Sequence, residues 1–117
     1  MTQLLKSYKS DSIDITLELD RDITDYQIRA EVWDNQNPVN SIKKASNNVT
    51  GGDSTQIEIV NALTGKFIVH ILANETLPLE GDVKVEIELT KPSGFKETIF
   101  SNHIQLLEKR ITWVNKV

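Results

Sequence analysis

Residues 83–89 read Val83, Lys84, Val85, Glu86, Ile87, Glu88, Leu89, and residues 13–19 read Ile13, Asp14, Ile15, Thr16, Leu17, Glu18, Leu19. Side chains of a strand point alternately to opposite faces, so strict apolar/polar alternation over this length predicts a β-strand with one buried and one wetted face. A helix would scatter the same residues around its axis. The chain is therefore expected to fold from half-buried strands whose charged sides face water.

The rest of the sequence reads in the same way. A first strand over about 12–20 ends in the charged turn Asp20, Arg21, Asp22. From Tyr26 onward, Tyr26, Ile28, Ala30 and Val32 share one face, while Gln27, Arg29, Glu31 and Trp33 share the other. Asp34 to Pro38 is turn chemistry. A weaker strand over 41–46 carries Lys43 and Lys44, expected to guard a sheet edge against pairing with a neighbour. Asn47-Asn48 and Gly51-Gly52-Asp53 bracket a loop or tight turn, after which Gln56 to Ile59 resume the alternation. Lys66 to Leu72 is apolar on both faces and should be central. Residues 73–78 suit a single helical turn linking two sheets. Lys91-Pro92-Ser93-Gly94 fits a type I turn, which makes 83–90 and 95–100 antiparallel partners, and a last strand covers His103 to Leu107. Seven or eight strands with no helix of useful length predict an all-β, antiparallel β-sandwich; an up-and-down barrel is the alternative.

At 117 residues the chain suits one domain, with a core over about 10–107 and terminal arms at 1–9 and 108–117. It has no cysteine, which removes disulfides, thiolate metal sites and thiol chemistry together. The net charge of −4, with both signs interspersed along the strands, argues against a nucleic-acid partner. No apolar run approaches the ~18 residues of a membrane span. The start of the chain does not read as a secretory signal, so synthesis in a cytoplasm is expected. The apolar ends, Leu4, Leu5 and Tyr8 at one and Ile111, Trp113, Val114 and Val117 at the other, suit either extra edge strands or arms that dock on a neighbouring subunit. Lys109, Arg110, Ile111 and Trp113 are the candidate docking residues.

Residues that could carry chemistry are few. His70 lies in the apolar segment and His103 near a strand start, neither in a metal-ligand spacing, so both are expected to be structural. Glu86 and Glu88 could flank a glycosidic bond, but a solvated strand face explains them more simply. Asp20, Asp22 and Asp25 lack the frame of a calcium loop. The glycines sit at turns without phosphate-cradling spacing. No catalytic residue, metal site or cofactor is expected, and an enzyme is not the reading. Trp33 is the candidate exposed aromatic. It is expected to cover the end of the core, and a sugar platform within a non-catalytic carbohydrate-binding or adhesion domain is the alternative.

Two stretches carry a family resemblance. Asp14 to Asp20 followed by Ile23-Thr24-Asp25-Tyr26-Gln27-Ile28-Arg29-Ala30-Glu31-Val32 is one; Leu63-Thr64-Gly65-Lys66-Phe67, Leu77-Pro78-Leu79-Glu80-Gly81 and the 83–89 strand form the other. Together, over about residues 10–107, the chain resembles the phage and prophage baseplate upper protein N-terminal family. The resemblance implies an immunoglobulin-like sandwich that builds part of a tail organelle, a virion component made in the bacterial host cytoplasm. It also implies partners among other phage structural proteins and copies of the chain itself as a homo-oligomer, with no catalytic residues to transfer. Fuller members continue into helical or fibre-forming segments, whereas this sequence stops soon after the domain, which favours an adaptor or connector over a receptor-binding role.

Overall fold

The computed structural model describes residues 5–8, 11–34, 41–46, 55–79 and 81–107. In chain order the elements are β1 (Leu5–Tyr8), β2 (Ile13–Glu18), β3 (Gln27–Asp34), β4 (Ile42–Ala45), β5 (Ile57–Asn61), β6 (Lys66–Ile71), the short helix α1 (Ala73–Thr76), β7 (Asp82–Thr90) and β8 (Lys96–Leu107). The alternation is realised residue by residue. Ile28, Ala30, Val32 and Asp34 of β3 are buried, as are Val83, Val85, Ile87 and Leu89 of β7, while the residues between them face outward.

Two sheets result, one of three strands in the order β2-β6-β5 and one of five in the order β1-β8-β7-β3-β4. Every pairing is antiparallel except that of β1, which lies parallel on the second half of β8, with Leu5 opposite Ile104 and Tyr8 opposite Leu107. This is the strand order of an immunoglobulin-like sandwich, in which the second, fifth and fourth strands of the body face a sheet built on the third, sixth and seventh. Such domains in antibodies are pinned by a disulfide between the sheets. Here the inward positions of β2 and β7 hold Ile15, Val85 and Ile87 instead, within one core that also contains Phe67, Val69, Ile57, Ile59, Ile28 and Ile104. Burying each such side chain contributes roughly 1.5–3 kcal/mol, so packing replaces the covalent link.

Several expectations change in detail. The two segments expected at 95–100 and 103–107 are one continuous β8, with a bulge where Ile87 pairs with Phe100 and Glu88 with Thr98, leaving Ile99 unopposed. His103 is consequently inside a strand, opposite Lys84. Lys44 does not guard the edge: its side chain is buried, whereas Lys43 is exposed as expected. Of the apolar N-terminal stretch, Leu5–Tyr8 forms an edge strand of the same domain. Asp34, expected to open a loop, is the buried last residue of β3. The rest of that loop, 35–38, the loop expected at 47–53 and the docking residues Lys109, Arg110, Ile111 and Trp113 lie outside the described residues.

Turn chemistry places the loops at the two ends. Gly94 has φ +94, and the 91–95 turn is closed by hydrogen bonds from Gly94 N–H to the Lys91 carbonyl at 2.8 Å and from Lys91 N–H to the Phe95 carbonyl at 2.9 Å. Gly65 has φ +73, and a Cβ there would lie 2.7 Å from the Arg21 carbonyl oxygen, so both conformation and space require glycine.

Candidate functional site

Three places gather polar or exposed apolar side chains. The first is the outer face of the three-stranded sheet. Asp14 of β2 lies directly opposite His70 of β6, and Glu58 of β5 lies diagonally across on the other side. The His70 ring bridges them, Nδ1 being 2.8 Å from Asp14 Oδ1 and Nε2 2.9 Å from Glu58 Oε1. The partial burial of the ring opposes its charge, but the hydrogen bonds to Glu58 and Asp14 and their attraction outweigh this and raise the pKa above 6.5. In its protonated form the ring donates from both nitrogens to carboxylates and offers no lone pair to a substrate, so it acts as a strap across three strands.

The second place is the corner between β4 and α1. The buried Lys44 ammonium donates to the Thr55 carbonyl and to Glu75 Oε1, each at 2.6 Å, and the same Glu75 oxygen accepts the Leu72 backbone N–H at 2.8 Å. One carboxylate thus caps the helix and neutralises a cation that reaches from the edge of one sheet to the edge of the other. Both partners serve the fold.

The third place is the end of the sandwich where the β2–β3, β5–β6 and β7–β8 connections meet. Backbone hydrogen bonds join the first two, from Leu19 N–H to the Gly65 carbonyl, Asp20 N–H to the Thr64 carbonyl and Ile23 N–H to the Ala62 carbonyl. Arg21 reaches Glu97 at the start of β8, at 3.1 Å. Asp20 and Asp25 hold positive φ, which aspartate tolerates. Asp22 accepts the Thr24 hydroxyl and its backbone N–H, bonds that lower its pKa and keep it anionic. Between these loops lies a groove of about 350 Å³ lined by Ile23, Thr24, Asp25, Val60, Asn61, Ala62 and Leu63. Leu63 is 72% exposed and Phe95, in the neighbouring turn, 62%. A leucine and a phenylalanine this open, at the tips of loops whose backbones are tied down, form a surface suited to contact with another protein.

The sequence-derived candidates fare differently. Trp33 does not cover the end of the core: it is half-buried on the outer face of the five-stranded sheet, with the Lys84 ammonium 5.8 Å from its ring centre. That cation occupies a ring face a sugar would need. Glu86 and Glu88 face outward as expected, around a shallow depression of about 520 Å³ that Arg29, Glu31 and Lys43 share. Among the described residues no group of three histidine, aspartate or glutamate side chains is arranged to hold a metal ion. The loop-end groove was not anticipated, because Leu63 sits in the Asn61–Gly65 turn; an apolar side chain within turn chemistry was its one visible signal. No protein-family model matches the chain, and no curated protein matches it.

Proposed function

We propose that the chain is a non-catalytic structural module of a phage or prophage tail or baseplate, working through protein–protein assembly. The observation that carries the assembly part is the loop end, where Leu63, Val60 and Phe95 stand exposed on a domain whose described buried polar side chains all have partners. A surface of this kind gains stability when another protein covers it. The tail part rests on the resemblance of residues 10–107 to the baseplate upper protein N-terminal family, with which an immunoglobulin-like sandwich agrees. The function is then scaffolding: two rigid sheets hold a loop surface in fixed geometry, so that a partner meets a preformed site and little ordering cost accompanies binding.

Mass spectrometry of tail particles purified from the host that encodes the chain tests this reading. The chain should be present at a fixed ratio to the other tail proteins, and its coding sequence should lie among tail genes. Absence from the particles, with a gene placed among unrelated functions, would end the tail assignment.

A further inference from the structure

We infer that the loop-end groove receives the 109–117 segment of a second copy, so that copies join head to tail. This rests on the assembly reading above and names its partner. The groove is lined by the apolar side chains of Ile23, Val60, Ala62 and Leu63, with one carboxylate, Asp25, among them. Asp20, Asp22 and Asp25 stand on the connection that forms one wall, and none of them has a cationic partner among the described residues, Arg21 being engaged by Glu97. The segment Lys109-Arg110-Ile111-Thr112-Trp113-Val114-Asn115-Lys116-Val117 has the complementary chemistry: three cations, no acidic residue and four large apolar side chains. An aromatic anchor flanked by basic residues is suited to a largely apolar groove beside a connection that carries three carboxylates.

Reach decides that the partner is another copy. Glu97 is bound at the loop end through Arg21, and β8 then runs unbroken to Leu107, ten residues and about 33 Å away. Leu107 therefore lies at the opposite end of the sandwich. Trp113 lies six residues beyond Leu107, which spans at most about 22 Å fully extended. It cannot return to the groove of its own chain, whereas the groove of a neighbour stacked end to end is within reach. Such a contact uses two different surfaces and so builds a closed ring or a filament.

Light scattering on the 117-residue chain tests this. The native chain should gain mass with concentration. Leu63→Asp, at a position exposed enough to leave the fold intact by circular dichroism, and Trp113→Ala should each weaken association more than about tenfold. Lys109→Glu combined with Arg110→Glu should do the same. An equimolar mixture of Leu63→Asp and Trp113→Ala chains should form a dimer that grows no further, because only one intact groove and one intact arm remain to meet. A native chain that stays monomeric, an unchanged mass for Leu63→Asp, or a mixture that remains monomeric overturns the inference. None of these outcomes removes the chain from tail particles, so the broader assembly reading is judged separately.

Discussion

The outer faces of the two sheets manage charge in opposite ways. On the three-stranded sheet, the carboxylates of Asp14 and Glu58 flank a histidine that bonds to both. On the five-stranded sheet, Glu31 and Glu86 stand directly opposite one another, with Lys43 beside one and Ser101 beside the other, and no ion pair joins them to a neighbour among the described residues. Like charges directly opposite across a strand pair are unfavourable. The larger sheet tolerates them because β7 and β3 are paired over eight residues and bury four side chains each. The smaller sheet has one central strand and two edges, and there the side chains add a cross-link that the backbone lacks.

Substitutions separate the two regimes, beginning where the effect is greatest. Phe67→Ala, at the buried centre of the three-stranded sheet, should cost about 3–5 kcal/mol in denaturant unfolding. A loss well below that would mean that the smaller sheet collapses around the gap and is less rigid than its strap implies. Glu75→Ala should cost about 3 kcal/mol, since it leaves the Lys44 ammonium buried with only the Thr55 carbonyl. Lys44→Met should cost less, because Glu75 keeps access to water and its bond to Leu72 N–H.

On the strap itself, His70→Gln should cost about 1 kcal/mol near pH 6, the difference fading at higher pH. The folded-state pKa is raised above 6.5, so the folded protein holds the proton more tightly than the unfolded chain. The resulting stabilisation is complete below 6.5 and is lost as pH rises through the folded value. Unfolding measured at about pH 6 and about pH 9 on native and variant chains reads this directly, and a gap that does not narrow would show that His70 acts by packing alone. The smallest effect has the opposite sign: Glu86→Gln on the larger sheet should stabilise by about 0.2–0.5 kcal/mol, as a shift in the denaturant midpoint. If it destabilises instead, Glu86 has a favourable role that the comparison of faces omits.

Much of this architecture was legible in the residues. Strict alternation in β2, β3 and β7 located those strands and told their inner from their outer faces, because burial and side-chain parity are local properties. Parity also put Trp33 outside, against the expectation that it would cover the core. The sequence of β8 looks like two pieces because the bulge at Ile99 shifts its parity, and a bulge is specified by the partner strand as much as by its own sequence. The burial of Lys44 was not legible, since its partner Glu75 comes 31 positions later in a different element. The histidine strap required the order β2-β6-β5: Asp14, Glu58 and His70 each had outward parity, but nothing local says that their strands are neighbours. The exposed groove at the loop end follows from three connections meeting, which no single turn encodes.

The parallel pairing of β1 with β8 has a consequence for how the protein is made. Leu5 lies opposite Ile104, 99 positions later, so β1 finds its place only once β8 has been synthesised. The three-stranded sheet needs nothing beyond Ile71 and can assemble earlier. Within this domain the docking of β1 on β8 follows, a contact of long sequence separation that is slow to form.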